Sequence, residues 1–573
     1  MTEQEAKEIS LERKVSTSEK DPSGRPEVEG KQPHLERKEA IKKKIHQLSK
    51  NPESLIMILV LLFSLGILLY YFSLTKNQTL WWDEAEYMDQ AKYFAFGIDY
   101  DINAQRPFLF PLFAALLFKL GFGEIGIRLL LVILPAWLIV IVTYLFIKEA
   151  YDIQTAAITA IITSVSWIHI FYAMRLMTDA IGLFFGLMSF YFFWKGYIKK
   201  EGRKYIWLIG FFVSLSFLIR LTGILHGLVI FLFLLVTDKF RFLREKDMWI
   251  SVGIALLTLT PLLIYDYVLF QDPLAFRSGY GGATTSANPL LLLNFIYDYP
   301  EKIFFLAFLI GLLTFIPMLM SLDLILKKGE KRYQSDLFML LTIIIILLFF
   351  MYFVRAVENR WLITMSIGIF AISARGILSI FTLLKKYSQL IAILALISLV
   401  LGGMYFQLKH ADEIIKIKLD SYRPIKDAAL WIKENSNPQD IIATKSSTQT
   451  NYYAERSVIN YGAINESEFE MLLKKKRPVF FEVSLFEAHP PWAIQQVGYA
   501  DGSQGLLLPF TNSSLRIVQN QVVNFDLKQK VEKDDFVMVL VYPQNAINGV
   551  FVYRIEYKNN SQSIEKENSP KKS

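Results

Sequence analysis

The chain has 573 residues, of which 53% are hydrophobic, and it carries a formal net charge of +8. Repeated runs of about 18–20 apolar residues exclude a soluble globular protein and indicate an integral membrane protein. Cysteine is absent, which excludes disulfide bonds, thiolate metal sites and a cysteine nucleophile. The positive charge lies in tails and loops without a nucleic-acid-binding motif, so we expect no nucleic acid partner.

Four regions follow one another along the chain. Residues 1–50 are polar and rich in Lys and Glu, which predicts a disordered cytoplasmic tail and not a cleavable signal peptide. Residues 51–406 carry the apolar segments, 407–558 have a mixed composition, and 559–573 form a second polar tail. The expected fold class is a polytopic α-helical membrane protein with a C-terminal extracytoplasmic α/β domain.

The apolar segments predict about eleven transmembrane spans. A further apolar stretch, 107–120, is too short for a crossing and is expected to lie at the membrane interface. The predicted spans cover residues 54–74, 125–147, 155–173, 179–196, 205–220, 223–237, 248–269, 303–325, 337–354, 361–382 and 388–406.

The charges of the loops predict the topology, because positively charged loops stay in the cytoplasm. Residues 42–44 are three lysines ahead of the first span, which predicts a cytoplasmic N-terminus. The basic loops 197–204, 238–247, 326–336 and 383–387 then all fall on the inner side. The outer side receives loop 75–124, the C-terminal domain and four Asn-x-Ser/Thr sequons, which begin at Asn77, Asn465, Asn512 and Asn559.

Charged residues are predicted to meet at the outer boundary of the membrane. Carboxylates can serve as a general base for a hydroxyl or hold a divalent metal, and arginines grip a phosphate bidentately. Their combination points to transfer chemistry on a lipid-linked phosphate. The residues are Asp83, Glu84, Glu86, Asp99, Asp101 and Arg106 in the first outer loop, Arg175, Asp179 and Arg220 near the third to fifth spans, and Arg355, Glu358 and Arg360 between the ninth and tenth.

These charges also have structural explanations. Asp179 could face a helix N-terminus, and Arg220 could anchor a helix at the membrane interface. Glu358 and Arg360 could belong to a solvated turn. The pair Asp83-Glu84 is the hardest to explain by packing, because adjacent carboxylates repel each other.

Metal dependence stays open at this point. The chain has only six histidines, so a metal site would rely on carboxylates and would favour Mg²⁺ or Mn²⁺. No set of metal ligands can be assigned from the spacing.

The C-terminal region alternates helical and strand patterns. Helices are predicted over 424–435 and 466–476, strands over 440–443, 479–483, 536–542 and 550–557, and a loop over 489–492. The region lacks a glycine-rich phosphate loop, a zinc pattern and a serine nucleophile elbow. We therefore expect it to bind an acceptor or cover the site.

A set of motifs across residues 54–406 resembles a known family. The chain resembles the GT-C superfamily of polyprenyl-phosphate-sugar-dependent glycosyltransferases, and most closely the branch of protein O-mannosyltransferases and lipid A aminoarabinose transferases. Two departures leave the substrate subtype open: Met365-Ser366 stands where a proline is usual, and a second proline is shifted to Pro111. The motifs are Asp83-Glu84 followed by Tyr87 and Ala91, Arg106-Pro107 leading to Gly121-Phe122-Gly123, Asp179, Arg220 and Arg360-Trp361-Leu362.

The resemblance implies a GT-C fold with about 11–13 transmembrane helices, although the exact number is open. It implies an inverting, mannosyltransferase-like transfer of a sugar from dolichyl or undecaprenyl phosphate to a hydroxyl of a protein, lipid or glycan. Asp83 would be the catalytic base, assisted by Glu84 and Asp179. The candidates for contact with the donor phosphate or sugar are Arg106, Arg175, Arg220, Arg360 and Glu358.

Two other classes of function compete with this interpretation. A transporter or flippase of a lipid-linked substrate would place polar residues at the bilayer midplane and show internal repeats. The ionisable residues here cluster at one face, and no repeat is visible. A receptor or scaffold that uses the outer domain would leave the arginines near the membrane unexplained.

Overall fold

The computed structural model describes residues 52–278, 288–320, 331–354, 357–462, 464–498, 504–518, 521–543 and 549–558. The predicted terminal tails, the sequon at Asn559 and Arg355 lie outside these residues. Residues 57–573 form one unit, and every tertiary contact described below lies within it.

Apolar helices make up the first three quarters of the described chain. They are α1 Pro52–Thr75, α2 Trp82–Phe96, α3 Leu109–Lys119, α4 Glu124–Ala150, α5 Ile153–Val165, α6 Trp167–Ala173, α7 Asp179–Ile198, α8 Arg203–Ile219, α9 Leu221–Thr237, α10 Lys246–Phe270, α11 Pro289–Asp298, α12 Glu301–Leu313, α13 Ile316–Met320, α14 Lys331–Phe349, α15 Asn359–Lys385 and α16 Gln389–Lys418.

Within the described residues, seven helices are long and apolar enough to span a membrane, and the bent pair α5–α6 makes up to eight. The chain is therefore a multi-pass membrane protein, although fewer long helices are present than the eleven predicted spans. Some predicted spans are short or interrupted: α8 has 17 residues, about 25 Å at 1.5 Å per residue. Helix α3 has 11 residues, which confirms that this segment is too short to cross.

Helices α5 and α6 replace one predicted span and meet at an angle of 53°. Ser166 lies between them with an extended backbone, so the regular helical hydrogen bonds stop there. Gln407 of α16 compensates: its Oε1 accepts the backbone N–H of Trp167 at 2.9 Å. Irregular backbone at membrane depth is tolerated where protein groups satisfy it in this way.

Two glycines allow α12 and α15 to pack closely. A Cβ on Gly311 would lie 2.0 Å from the carbonyl oxygen of Ile372, and a Cβ on Gly376 would lie 1.8 Å from that of Ala307. Any larger residue would push the helices apart. This close packing holds α15, whose first turn carries Arg360.

Within its described residues, the C-terminal domain contains three α-helices and two sheets. A mixed six-stranded sheet has the order β2-β1-β3-β10-β9-β8, with parallel pairing only among β1, β2 and β3. The other four strands form an antiparallel sheet in the order β4-β5-β6-β7. The elements are α17 Arg423–Glu434, β1 Ile441–Thr444, α18 Ser447–Ala454, β2 Ser457–Asn460, α19 Glu466–Lys476, β3 Phe480–Ser484, β4 Gln495–Gly498, β5 Gln504–Leu508, β6 Ser513–Val518, β7 Gln521–Asp526, β8 Lys530–Glu532, β9 Phe536–Tyr542 and β10 Val550–Tyr557.

The structure confirms a helical membrane protein with a C-terminal α/β domain, and it confirms the helices and strands predicted in this domain. The antiparallel sheet and the helix over 447–454 were not predicted. Helix α18 has a polar sequence, Ser-Thr-Gln-Thr-Asn-Tyr-Tyr-Ala, with little periodicity, yet most of it is buried. Its helical state depends on packing and not on local propensity.

Candidate active site

Loop 75–124 contributes helix α2, which begins at the tryptophan pair. The backbone N–H of Trp81 donates to Glu84 Oε2 at 2.6 Å, so the third residue of the helix satisfies a donor just before its start. Successive helical residues are rotated by about 100°, so Asp83 and Glu84 point in different directions. The two adjacent carboxylates therefore enter two separate environments.

Glu84 points into the protein and forms a buried ion pair with Arg175, from the turn between α6 and α7. The side chains of Glu84 and Arg175 are 0% and 1% exposed. Leu176 donates its backbone N–H to the second carboxylate oxygen. The Arg175 guanidinium also lies over the Trp81 ring, 3.9 Å from its centroid. A substrate can reach neither charged group without disrupting this packing.

Asp83 points the other way and lies between two arginines. Its Oδ1 is 2.5 Å from Arg106 Nη2, and its Oδ2 is 2.5 Å from Arg360 Nη2. The Asp83 side chain remains 19% exposed. Burial alone raises the pKa of this carboxyl, but the charges and hydrogen bonds of the two arginines outweigh burial and hold the pKa below its usual range.

Each arginine has a second carboxylate partner. Arg106 Nη2 lies 2.6 Å from Glu86 Oε2, and Asn103 donates to the other oxygen of Glu86 at 2.7 Å. Arg360 Nε lies 2.6 Å from Glu358 Oε1. Asp83 is thus the centre of a chain of charges that runs from loop 75–124 to the start of α15.

Asp179 and Arg220 form another ion pair beside this chain. Asp179 opens α7 and is buried, and Arg220 follows α8 with most of its side chain covered. Arg220 and Arg360 are close enough to repel each other electrostatically. Met177 Sδ lies 2.9 Å from Arg360 Nη1, which links the turn between α6 and α7 to α15.

The structure therefore brings most of the predicted site residues together. Asp83, Arg106, Glu358 and Arg360 are directly linked, and the Asp179–Arg220 pair lies next to them. Glu84 and Arg175 pair with each other in the interior and not with this group. Sequence reasoning missed Asn103, and no motif or spacing marks that residue.

The C-terminal domain is joined to loop 75–124 by several polar contacts. Lys92 Nζ donates to the carbonyl oxygen of Tyr452 at 2.8 Å and to Glu455 Oε1 at 2.7 Å. The Tyr453 hydroxyl accepts the backbone N–H of Leu80 at 3.0 Å. The domain is thus held against the loop that carries Asp83.

Metal binding would need several carboxylates or histidines at one point. Among the residues that the structure describes, no group of three such side chains is close enough to hold a cation. Asp83 and Glu86 instead share Arg106, so arginine compensates their charge.

Comparison with known proteins addresses the family and the fold. Residues 105–265 match the family model of dolichyl-phosphate-mannose-protein mannosyltransferases (PMT). No curated protein gives a significant match to the chain.

Several solved structures share the fold. ArnT from Cupriavidus metallidurans, in the apo state, is 16% identical with a TM-score of 0.56, and the match covers 74% of this chain and 92% of ArnT. The same protein bound to undecaprenyl phosphate gives 15% identity and a TM-score of 0.57 over the same shares. The oligosaccharyltransferase AglB from Archaeoglobus fulgidus, in complex with an inhibitory peptide and a dolichol-phosphate, is 14% identical with a TM-score of 0.52. This match covers 80% of this chain and 75% of AglB. These findings confirm the resemblance drawn from the sequence: the chain is similar to the PMT family over residues 105–265 and shares the GT-C fold of ArnT and AglB.

Proposed function

We propose that the protein is a membrane glycosyltransferase that moves a sugar from a polyprenyl phosphate to a hydroxyl acceptor with inversion. The observation that carries this proposal is the position of Asp83, a partly exposed carboxylate held between Arg106 and Arg360. A general base and a pair of phosphate-binding cations at one point are what this reaction requires.

The donor phosphate enters the site in competition with Asp83. Both oxygens of Asp83 occupy arginine donors, and a phosphate that takes Arg360 leaves the carboxylate with less positive charge around it. The pKa of Asp83 then rises, because compensation by the arginines is what lowers it. Binding of the donor thus converts a weak base into a stronger one at the moment when it is needed.

The transfer itself is a single displacement. Asp83 takes the proton of the acceptor hydroxyl, the hydroxyl oxygen attacks the anomeric carbon, and the bond from that carbon to the phosphate oxygen breaks. The polyprenyl phosphate leaves with its electron pair, and Arg360 and Arg220 stabilise the charge that develops on it. Asp179 orients Arg220 for this role.

We assign Glu84 and Arg175 a positioning role. Their buried pair fixes the start of α2 against the turn before α7 and so aims Asp83 at the arginines. For Arg175 this differs from the expected contact with the donor, because its guanidinium is buried. For Glu84 it agrees with the expectation that this residue assists Asp83.

Support for the donor class comes from related folds. One solved ArnT structure contains undecaprenyl phosphate, and the AglB structure contains a dolichol-phosphate. The matching family model names a mannosyl donor, so dolichyl- or undecaprenyl-phosphate mannose is the first donor to test. The loop charges support a site on the outer face, with the N-terminus in the cytoplasm.

A transfer assay with purified protein in detergent tests this function. The protein is supplied with a panel of labelled polyprenyl-phosphate sugars as donors and with extracted cell membranes as the source of acceptor. Wild-type protein should transfer label to the acceptor. The sugar that is transferred identifies the donor, and a comparison with and without EDTA shows whether transfer requires a metal. Asp83→Asn should reduce transfer by about 10²–10⁴-fold, the usual contribution of a general base. Asp272→Asn removes an exposed carboxylate that pairs with Arg277 and serves as the control. A flippase would move substrate only across a closed membrane, so activity confined to proteoliposomes would refute the proposal.

A further inference from the structure

A polar cavity of about 750 Å³ lies between the first outer loop and the C-terminal domain. Residues 99–104 and helix α2 form one wall, and helix α18 with strand β2 forms the other. We propose that this cavity binds an uncharged saccharide that carries the acceptor hydroxyl. The inference rests on the proposed glycosyl transfer and extends it to the chemical class of the acceptor.

The cavity is connected to the proposed base through Arg106. Glu86 lines the cavity and pairs with Arg106, and Arg106 pairs with Asp83. Trp82, the residue before Asp83, also lines the cavity. A ligand held here is therefore separated from the carboxylate that would accept its proton by Arg106, which contacts both Glu86 and Asp83.

The lining favours hydroxyl groups over anions. Among the described residues around the cavity, none is Lys or Arg. Carboxylates accept hydrogen bonds from hydroxyls, amides both donate and accept, and the Trp82 ring offers an apolar face to a sugar ring. A phosphate or carboxylate on the ligand would meet like charges. The polar lining residues are Glu86, Asp99, Asp101, Asn103, Ser447, Thr448, Asn451 and Asn460.

Thr448 supplies an independent indication of a ligand. Its side chain is 7% exposed, and within the described chain its hydroxyl has no hydrogen-bond partner. A buried hydroxyl without a partner is unfavourable. Thr448 also lines the cavity, so a ligand hydroxyl at this wall would give its side chain a hydrogen-bond partner.

The two walls hold a fixed geometry, so the cavity is built before a ligand arrives. Asn451 donates to the carbonyl oxygen of Asp99 at 3.1 Å, and Ser457 donates to Asp99 Oδ2 at 2.8 Å. The volume lies within the range of about 300–1,000 Å³ that small-molecule sites occupy. The C-terminal domain thereby gains a direct role in choosing the acceptor.

A glycan array probed with full-length labelled protein in detergent tests this inference. The array carries neutral oligosaccharides, the same oligosaccharides with phosphate or sialic acid, and Ser/Thr peptides. Wild-type protein and Asp83→Asn should bind neutral oligosaccharides, because binding does not need the base. Thr448→Val should weaken binding by about two- to tenfold, as expected for one hydrogen bond, without lowering the melting temperature. Asn460→Trp places a large side chain at an exposed position of the lining and should abolish binding.

Gln496→Ala, in a separate cavity within the C-terminal domain, is the matched control and should bind as wild type does. Capture of peptides or anionic glycans in place of neutral ones would overturn the inference, as would equal binding by Asn460→Trp or no binding at all. Binding of undecaprenyl phosphate, measured in parallel by native mass spectrometry, separates the two proposals. Donor binding without saccharide binding refutes only the acceptor site, and saccharide binding without donor binding or transfer refutes the glycosyltransferase.

Discussion

The buried pair of Glu84 and Arg175 gives a prediction that separates a structural from a catalytic role. Glu84→Gln keeps the shape of the side chain but leaves the Arg175 charge without its carboxylate in a site that is 1% exposed. Breaking a buried pair by removing one partner costs about 3–5 kcal/mol, because the remaining charge is uncompensated. Two of the three guanidinium nitrogens of Arg175 already lack a hydrogen-bond partner among the described residues, so nothing nearby replaces Glu84.

Thermal unfolding of the detergent-solubilised protein, followed by tryptophan fluorescence, measures this effect. Glu84→Gln should lower the melting temperature clearly, and Glu84→Gln with Arg175→Met should recover most of the loss, since both charges are then absent. Glu86→Gln is the matched control. Because Glu86 pairs with the more exposed Arg106, this substitution should lower the melting temperature less than Glu84→Gln does. A Glu84→Gln protein that melts like wild type but has lost transfer would refute the positioning role.

Three further changes test other parts of the account. Arg360→Lys removes the planar fork that faces Asp83 and should weaken undecaprenyl phosphate binding by about tenfold; equal affinity would contradict its role. Burial raises the pKa of Glu482 to about 8, although hydrogen bonds from Thr450 and Thr444 act in the opposite direction. The folded pKa then exceeds the unfolded one, so stability should fall between about pH 5 and 8 by up to about 1.4 kcal/mol per pH unit. The melting temperature of Glu482→Gln should therefore change less with pH over this range than that of the wild type. An equal change with pH in both proteins would show that Glu482 does not cause the effect. Lys92→Met removes the contacts to Tyr452 and Glu455 and should speed hydrogen exchange in α18; unchanged exchange would show that other contacts hold the domain.

The sequence predicted which charges matter but not how they pair. Each predicted residue lies near one end of a helix or in a loop or turn beside one, and the structure brings most of these ends together. Asp83 and Glu84 are adjacent, however, and the rotation of α2 against the protein interior decides which of them is buried. Only the packing of α2 against the turn that carries Arg175 fixes that rotation.

The number of spans shows another limit of the sequence. Apolar composition predicted a span over 155–173, but Ser166 interrupts the helix and Gln407, far along the chain, satisfies the freed backbone. Hydropathy detects whether a segment tolerates the bilayer, and it does not detect where a helix bends. The cavity beside Glu86 likewise could not be predicted from the sequence, because it forms between loop 75–124 and a helix more than 300 residues away along the chain.

The central claim is that Asp83 is the base and that donor phosphate displaces it from the arginines. Donor binding and single-turnover transfer, measured on the same Asp83→Asn preparation, test both parts. The account predicts that transfer falls by about 10²–10⁴-fold, while undecaprenyl phosphate binds at least as tightly as to wild type, because the competing carboxylate is gone. Transfer at the wild-type rate, or loss of donor binding in parallel with transfer, would contradict it.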